Sequence, residues 1–238
     1  MEHVFQTNDQ IGTIVSTLPK AALVFERHKI DFCCGGDRPL GEAITELGLN
    51  SEQILSELDR AHSEAQQLRQ PDKDWRSAPL SELVDYIINS HHAYLNSTLP
   101  ELGQLTSTVL RAHGANHKEL VQVHRLFNSL KMELEQHLIS EETQIFPLVK
   151  EFERTGDRKT LEEAVATIDQ LESEHLGAGD ILKELRQITD DYAVPADGCG
   201  TYERTYRLLQ ELEADLFRHI HLENNILHIR LRGLSEQA

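Results

Sequence analysis

Two stretches decide how this chain is read: His137-Leu138-Ile139-Ser140-Glu141 and His219-Ile220-His221-Leu222-Glu223. Both lie in long runs where Leu, Glu, Ala and Gln recur three and four residues apart, the period of an amphipathic helix. Residues four apart on a helix are rotated by only about 40° and stand one turn apart, so each His-x-x-x-Glu aims an imidazole and a carboxylate at one place. Leu134, Leu138, Leu216 and Leu222 put both pairs beside an apolar stripe.

Working outward, two further helical runs each offer a histidine. Leu161, Val165, Ile168, Leu171, Ala178 and Leu182 are spaced so that His175 shares their face. Leu80, Leu83, Val84, Ile87, Ile88 and Leu95 form a stripe that His91 or His92 continues, and the pattern leaves both open. Four runs result: Leu80 toward Val109 with a kink or break expected at Pro100, His117 to Phe152, Lys159 to Ile188, and Thr201 to Leu231. Joined by short loops at Gly156 and Pro195 to Gly200, they read as an antiparallel four-helix bundle, in a chain that is all-α. The lone histidines and the His-x-x-x-Glu pairs alternate along the chain, which therefore looks like two similar helical hairpins.

Four imidazoles and two carboxylates at one level suit two metal ions bridged by shared carboxylates, about 3.5–4 Å apart. Mixed His and carboxylate ligation with open positions favours iron, then manganese, with zinc behind. The competing ferritin-like template needs two Glu-x-x-His pairs, and Glu172-Ser173-Glu174-His175 supplies one. His113, His117 and His124 fall too far along their helices to share the metals. His221 points to another face, and His228 sits at best beyond the ligands. Glu174 either orients an imidazole or faces water.

Residues 1–68 read as a small helical domain and 69–79 as a linker, from Arg69-Gln70-Pro71-Asp72-Lys73-Asp74-Trp75-Arg76-Ser77-Ala78-Pro79. The bundle then occupies 80–235. In the small domain, a helix precedes Pro19, a second carries Ala22, Leu23 and Phe25, and two more are expected over Leu40–Leu47 and Ser51–Gln67, the last N-capped near Ser51. Between them lies Asp31-Phe32-Cys33-Cys34-Gly35-Gly36. Adjacent thiols hold a soft metal, form a strained disulfide or act in redox or delivery. A place just before the helix that starts near Pro39 is expected to lower their pKa. The glycines free the backbone for a tight turn or a close approach. Cys199, in a Pro- and Gly-rich loop, reads as incidental.

Composition excludes several classes. The 238 residues carry 23 Lys and Arg against 40 Asp and Glu, a net charge of −17, and acids outnumber bases both before and after residue 78. Nucleic-acid affinity comes largely from Lys and Arg displacing counterions, so a nucleic-acid partner is not expected. No apolar run is long enough to span a bilayer and no apolar leader opens the chain, so the expected location is cytoplasmic. Three cysteines fit a reducing compartment.

Asp31 to Gly36, the Lys73-Asp74-Trp75-Arg76-Ser77-Ala78-Pro79-Leu80 segment, Leu171-Glu172-Ser173-Glu174-His175 and Leu222-Glu223-Asn224-Asn225-Ile226-Leu227 together resemble the repair-of-iron-centres proteins. That family has an N-terminal Cys-Cys domain and a haemerythrin-like di-iron domain, and restores iron–sulfur clusters damaged by nitric oxide or peroxide. The resemblance implies two non-haem iron ions, bridged by carboxylate and oxo or hydroxo groups. It places their ligands on His92, His137, Glu141, His175, His219 and Glu223, with Cys33 and Cys34 as the reactive pair. It also implies damaged iron–sulfur proteins as partners, nitric oxide or peroxide as small ligands, and a homodimer in some members. The chain departs from the family at Leu227-His228-Ile229, where an apolar-Phe-Pro ending is usual. Three activities are compatible with such a site: iron donation to damaged clusters, nitric oxide reduction, and reversible O2 or NO binding of the haemerythrin kind.

Overall fold

The computed structural model describes residues 3–66 and 73–237, and it is helical with no strand among them. The described residues form two compact units, one reaching to Leu83 and resuming at Phe217, the other Val84–Leu216. The end of the fourth expected helix, Gln67, and linker positions 69–72 lie outside the described residues.

The Val84–Leu216 unit is built on four helical runs. The first is α5 (Leu80–Ile87), a wide turn over Ile88–His92 and α6 (Ala93–His113). The second is α7 (Glu119–Ser140), a wide turn over Glu141–Ile145 and α8 (Phe146–Thr155). The third is α9 (Arg158–Val165) followed by α10 (Ile168–Ile188), and the fourth is α11 (Gly200–Leu222). Contacts close the ring of helices. Ser107 meets His124 and Gly103 sits by Phe127 and Lys131, so α6 and α7 run antiparallel. His137 meets Glu174 across α7 and α10, Arg186 pairs with Glu213 across α10 and α11, and Arg204 pairs with Glu101 across α11 and α6. Leu99, Leu102, Phe127, Leu130, Leu182, Leu185, Leu209 and Leu212 fill the interior, each fully buried. At about 1.5–3 kcal/mol per buried large apolar side chain, this stripe dominates the stabilisation of the bundle.

Three local expectations are corrected. α6 is not broken at Pro100, because both Pro100 and Asn96, whose carbonyl the proline cannot satisfy, lie on the exposed face where water replaces the lost bond. The irregularity falls upstream, at Ile88–His92, where Ala93 N–H bonds to Ile88 O. The third run is two helices, since the Thr167 hydroxyl donates to Ala164 O at 2.7 Å and competes with the helical ladder at that point. In the small domain, the cap of α4 (Ser51–Gln66) is Asn50, whose side-chain oxygen accepts from Gln53 N–H at 3.1 Å.

The other unit contains α1 (Ile11–Thr17), α2 (Ala21–His28), α3 (Leu40–Glu46) and α4, packed with the end of α11, a third wide turn (Glu223–His228) and α12 (Ile229–Gln237). Phe32 anchors it, fully buried against Phe25, Phe217 and His221. Arg218 grips Glu26 through two bonds of 2.8 and 2.9 Å, and Arg230 reaches Trp75 O at 2.9 Å.

Candidate metal centre

In the Val84–Leu216 unit, the side chains of His92, His137, Glu141 and His175 turn inward, all nearly inaccessible and Glu141 wholly so. Glu141 Oε2 lies 3.3 Å from His92 Nε2 and 3.4 Å from His137 Nε2. His175 Nε2 stands 3.0 Å from His137 Nε2. His137, Glu141 and His175 thus offer donor atoms within 4.8 Å of one another. The outer nitrogens are held by acids: His92 Nδ1 by Glu142 at 2.8 Å and His137 Nδ1 by Glu174 at 2.7 Å. An Nδ1–H donated to a carboxylate leaves the Nε2 lone pair facing inward, the usual arrangement behind a metal-bound imidazole. Burial pushes the Glu174 carboxyl up, but hydrogen bonds from His137 and Gln170 outweigh it and hold the group below the usual range. A wholly buried carboxylate among imidazoles is costly unless positive charge accompanies it, and a divalent cation on these donors supplies that charge. The donor set fits iron.

In the other unit, His219 Nε2 lies 3.0 Å from Glu223 Oε1, and both residues are buried. Three ligand candidates adjoin the widened turns: His92 closes the first, Glu141 opens the second and Glu223 opens the third. Such turns interrupt the regular ladder and recur at functional sites.

The structure separates the two adjacent histidines. His91 Nδ1 pairs with Asp215 at 3.0 Å and its ring stands edge-on to Tyr86, so it belongs to the contact of α11 with the first run. His92 faces Glu141. His113, His117 and His124 lie at the distal end of the bundle against Cys199, Asp197 and Ser107. His221 and His228 are buried, and burial pushes the His221 imidazole down to about 4, keeping it neutral.

The Cys33–Cys34 turn folds around Asp31. One oxygen of that carboxylate accepts from the N–H groups of Cys33, Cys34 and Gly35 at 3.1–3.2 Å and from the Cys33 thiol at 3.3 Å. The two sulfurs are 3.7 Å apart and both are thiols. The expected lowering of thiol pKa does not hold at Cys33. Burial, the Cys34 thiol and the Asp31 carboxylate all disfavour its thiolate and push the group up, while α3 begins too far along the chain to oppose them.

Sequence reasoning missed Glu142 and left Glu174 undecided. The available signal was an acid at the position next to a ligand candidate, Glu142 after Glu141 and Glu174 before His175. Asn225, which bonds to the cysteine turn, lies in the Leu222–Leu227 segment that carries the resemblance, but nothing in its spacing marks that bond.

Residues 83–231 match the family described as hemerythrin HHE cation binding domain, and residues 7–62 match a domain of unknown function, DUF542. The iron-sulfur cluster repair protein YtfE of Citrobacter koseri is 34% identical over 221 residues, covering 92% of this chain and 94% of that protein. The proteins of the same name from an Enterobacter species and from Escherichia coli O157:H7 are 35% and 34% identical over the same shares of both chains.

Proposed function

From the premise that this chain belongs to the family of iron-sulfur cluster repair proteins, with a hemerythrin-type cation-binding domain, we propose that it restores iron–sulfur clusters damaged by nitrosative or oxidative stress by donating iron. Its ligands are His92, His137, Glu141, His175, His219 and Glu223, holding two irons. His137, Glu141 and His175 offer donor atoms within 4.8 Å of one another in one unit, and His219 and Glu223 form a second imidazole–carboxylate pair in the other. Two carboxylates, Glu141 and Glu223, are the number that a bridged pair of metals would use. The bundle is taken as 80–235, the linker as 69–79 and the cysteine domain as 1–68. No helix among the described residues is long and apolar enough to cross a membrane. The clients are damaged iron–sulfur proteins, and the proposed location is the cytoplasm.

The observation that carries this reading is the pair of oriented imidazoles. Glu142 and Glu174 hold His92 and His137 by Nδ1 and present Nε2 toward Glu141. Iron on these donors supplies both redox chemistry and a transferable ion. The chain's own residues set how firmly it is kept. Neutral imidazoles would bind divalent iron less tightly than thiolates, and protonation of Glu141 or Glu223 would weaken the hold further. Cys33 and Cys34 act as the reactive pair, meeting the client or passing iron on.

Metal analysis with Mössbauer spectroscopy on the purified chain, followed by mixing with an apo-ferredoxin acceptor, tests this. About two coupled irons per chain that move to the acceptor are expected. Iron that stays in place while nitric oxide is consumed over many turnovers would replace donation by nitric oxide reduction. One zinc, or no bound metal, would overturn the reading.

A further inference from the structure

The turn that carries the cysteines is gripped from two sides. From within, Asp31 takes the N–H groups of Cys33, Cys34 and Gly35. From without, the Asn225 amide donates to the carbonyls of Phe32 at 3.0 Å and Cys33 at 3.2 Å, and its nitrogen also lies 3.1 Å from His221 Nδ1. The two carbonyls flank the Cys33 Cα, so backbone rotation there costs both bonds. Asn225 belongs to the widened turn that Glu223 opens, on the same continuous helical stretch as His219.

Room for this amide is made by two glycines. A Cβ on Gly36 would lie 2.4 Å from Asn225 Oδ1, and a Cβ on Gly12 would lie 2.5 Å from the same atom. Gly12 N–H in turn bonds to Gly36 O at 2.7 Å, tying α1 to the cysteine turn beside the amide. Neither glycine has a positive φ, so what each supplies is space. The close approach that Gly36 allows after the cysteines is thus filled by Asn225. Phe32 against His221 and Phe217, and Arg218 on Glu26, brace the surroundings.

We propose that Asn225 is a positioning residue, which fixes the Cys33–Cys34 turn in one register on the helical stretch that carries His219 and Glu223. Its importance for repair rests on the reading that the cysteine pair works together with the iron site. With the latch made, the Cys33 carbonyl is bonded, its thiol stays buried on Asp31, and the pair keeps one orientation. With the latch broken, the turn opens locally, so that the buried Cys33 thiol becomes accessible and the half-buried Cys34 thiol more so.

The test uses the full iron-loaded chain with Cys199→Ser, so that only Cys33 and Cys34 react. Asn225→Leu keeps the branch at Cγ and removes the donors. Gly36→Ala breaks the same contact from the side of the turn and leaves the helix untouched. Each variant is expected to keep the parent's iron content and visible spectrum while its thiols react with an aromatic disulfide at least about tenfold faster, as local opening predicts. The double variant is expected to stay within about twofold of the faster single, because both changes break one contact. Repair of an apo-cluster acceptor is expected to fall in the same variants. Thiol rates within about twofold of the parent in both singles would overturn the assignment, as would iron loss with the thiols still protected. Should Asn225→Leu not fold, the same criteria apply to Gly36→Ala. The thiol measurement needs no client, so a chain that repairs nothing would sink the proposed function while leaving this assignment to be decided by the thiols alone.

Discussion

His92 and His137 give Nδ1 to Glu142 and Glu174 and turn Nε2 into the protein, whereas His113, His117 and His124 spend Nε2 on Cys199, Asp197 and Ser107 at the distal end of the same bundle. Both sets sit on α6, α7 and the turns beside them, and both include an imidazole paired to an acid. They differ in burial and in which nitrogen the partner takes. Where the outer nitrogen is held and the inner one faces a buried carboxylate, the imidazole is a ligand in waiting. Where the tip nitrogen is already bonded at the surface, as in His117, the nearby acid raises the imidazole pKa and favours a cation that no metal binds. Histidine content alone therefore says little about metal binding.

The sharpest way to break this contrast is to exchange losses between the two levels. Glu141 is wholly buried and faces His92 and His137 together, so Glu141→Ala removes the proposed ligand that stands between them. Iron per chain is expected to fall below half the parent value by elemental analysis. His117→Ala, at the distal end, is expected to leave iron content unchanged. Loss of iron in the second variant, or full iron in the first, would show that the two levels are not distinct in function.

A smaller effect is expected one shell outward. Glu174→Gln and Glu142→Gln keep shape but withdraw the carboxylates that orient His137 and His92. Changes of this kind weaken metal affinity by about 10–100-fold. Competition with a chromophoric chelator measures it. If both variants hold iron as tightly as the parent, the acids are surface partners and the contrast reduces to burial.

Much of this was legible because it depends on spacing. Apolar residues three and four apart place the long helices, and His-x-x-x-Glu puts donor pairs on one face whichever way the helices pack. What escaped depends on competition between local and tertiary bonds. The widened turns at Ile88–His92, Glu141–Ile145 and Glu223–His228 have no composition of their own, since a shifted hydrogen-bond register is chosen by packing. Pro100 breaks nothing because the carbonyl it leaves unpaired, that of Asn96, faces water, while Thr167, an ordinary residue by pattern, ends a helix by bonding to Ala164. His91 and His92 continue one stripe equally well, and Asp215 and Glu141, far away in sequence, decide between them. The Cys33 thiol goes up instead of down chiefly because it is buried, and then because Cys34 and the Asp31 carboxylate crowd its sulfur, none of which spacing shows.

Cysteine chemistry offers the finest test of the same division. Cys199 is exposed at the start of α11, where the backbone N–H groups of Tyr202 and Thr201 and the side chain of His113 at 3.3 Å bring its pKa down to about 7. Cys33 is buried and pushed the other way. The rate at which Cys199 attacks an aromatic disulfide should therefore rise through a midpoint near pH 7, while Cys33 remains slow throughout the neutral range. At neutral pH a thiol at about 7 has roughly 50 times more thiolate than one at 9, but lower basicity gives back part of that gain, so a net advantage of about fivefold over an ordinary exposed thiol is expected. His113→Ala should shift the midpoint upward without reaching the ordinary value, because Tyr202 N–H remains. A Cys199 midpoint near 9, or a Cys33 that reacts first, would mean that the exposed end of the bundle does not tune its thiol and that the cysteine turn is open in the resting protein.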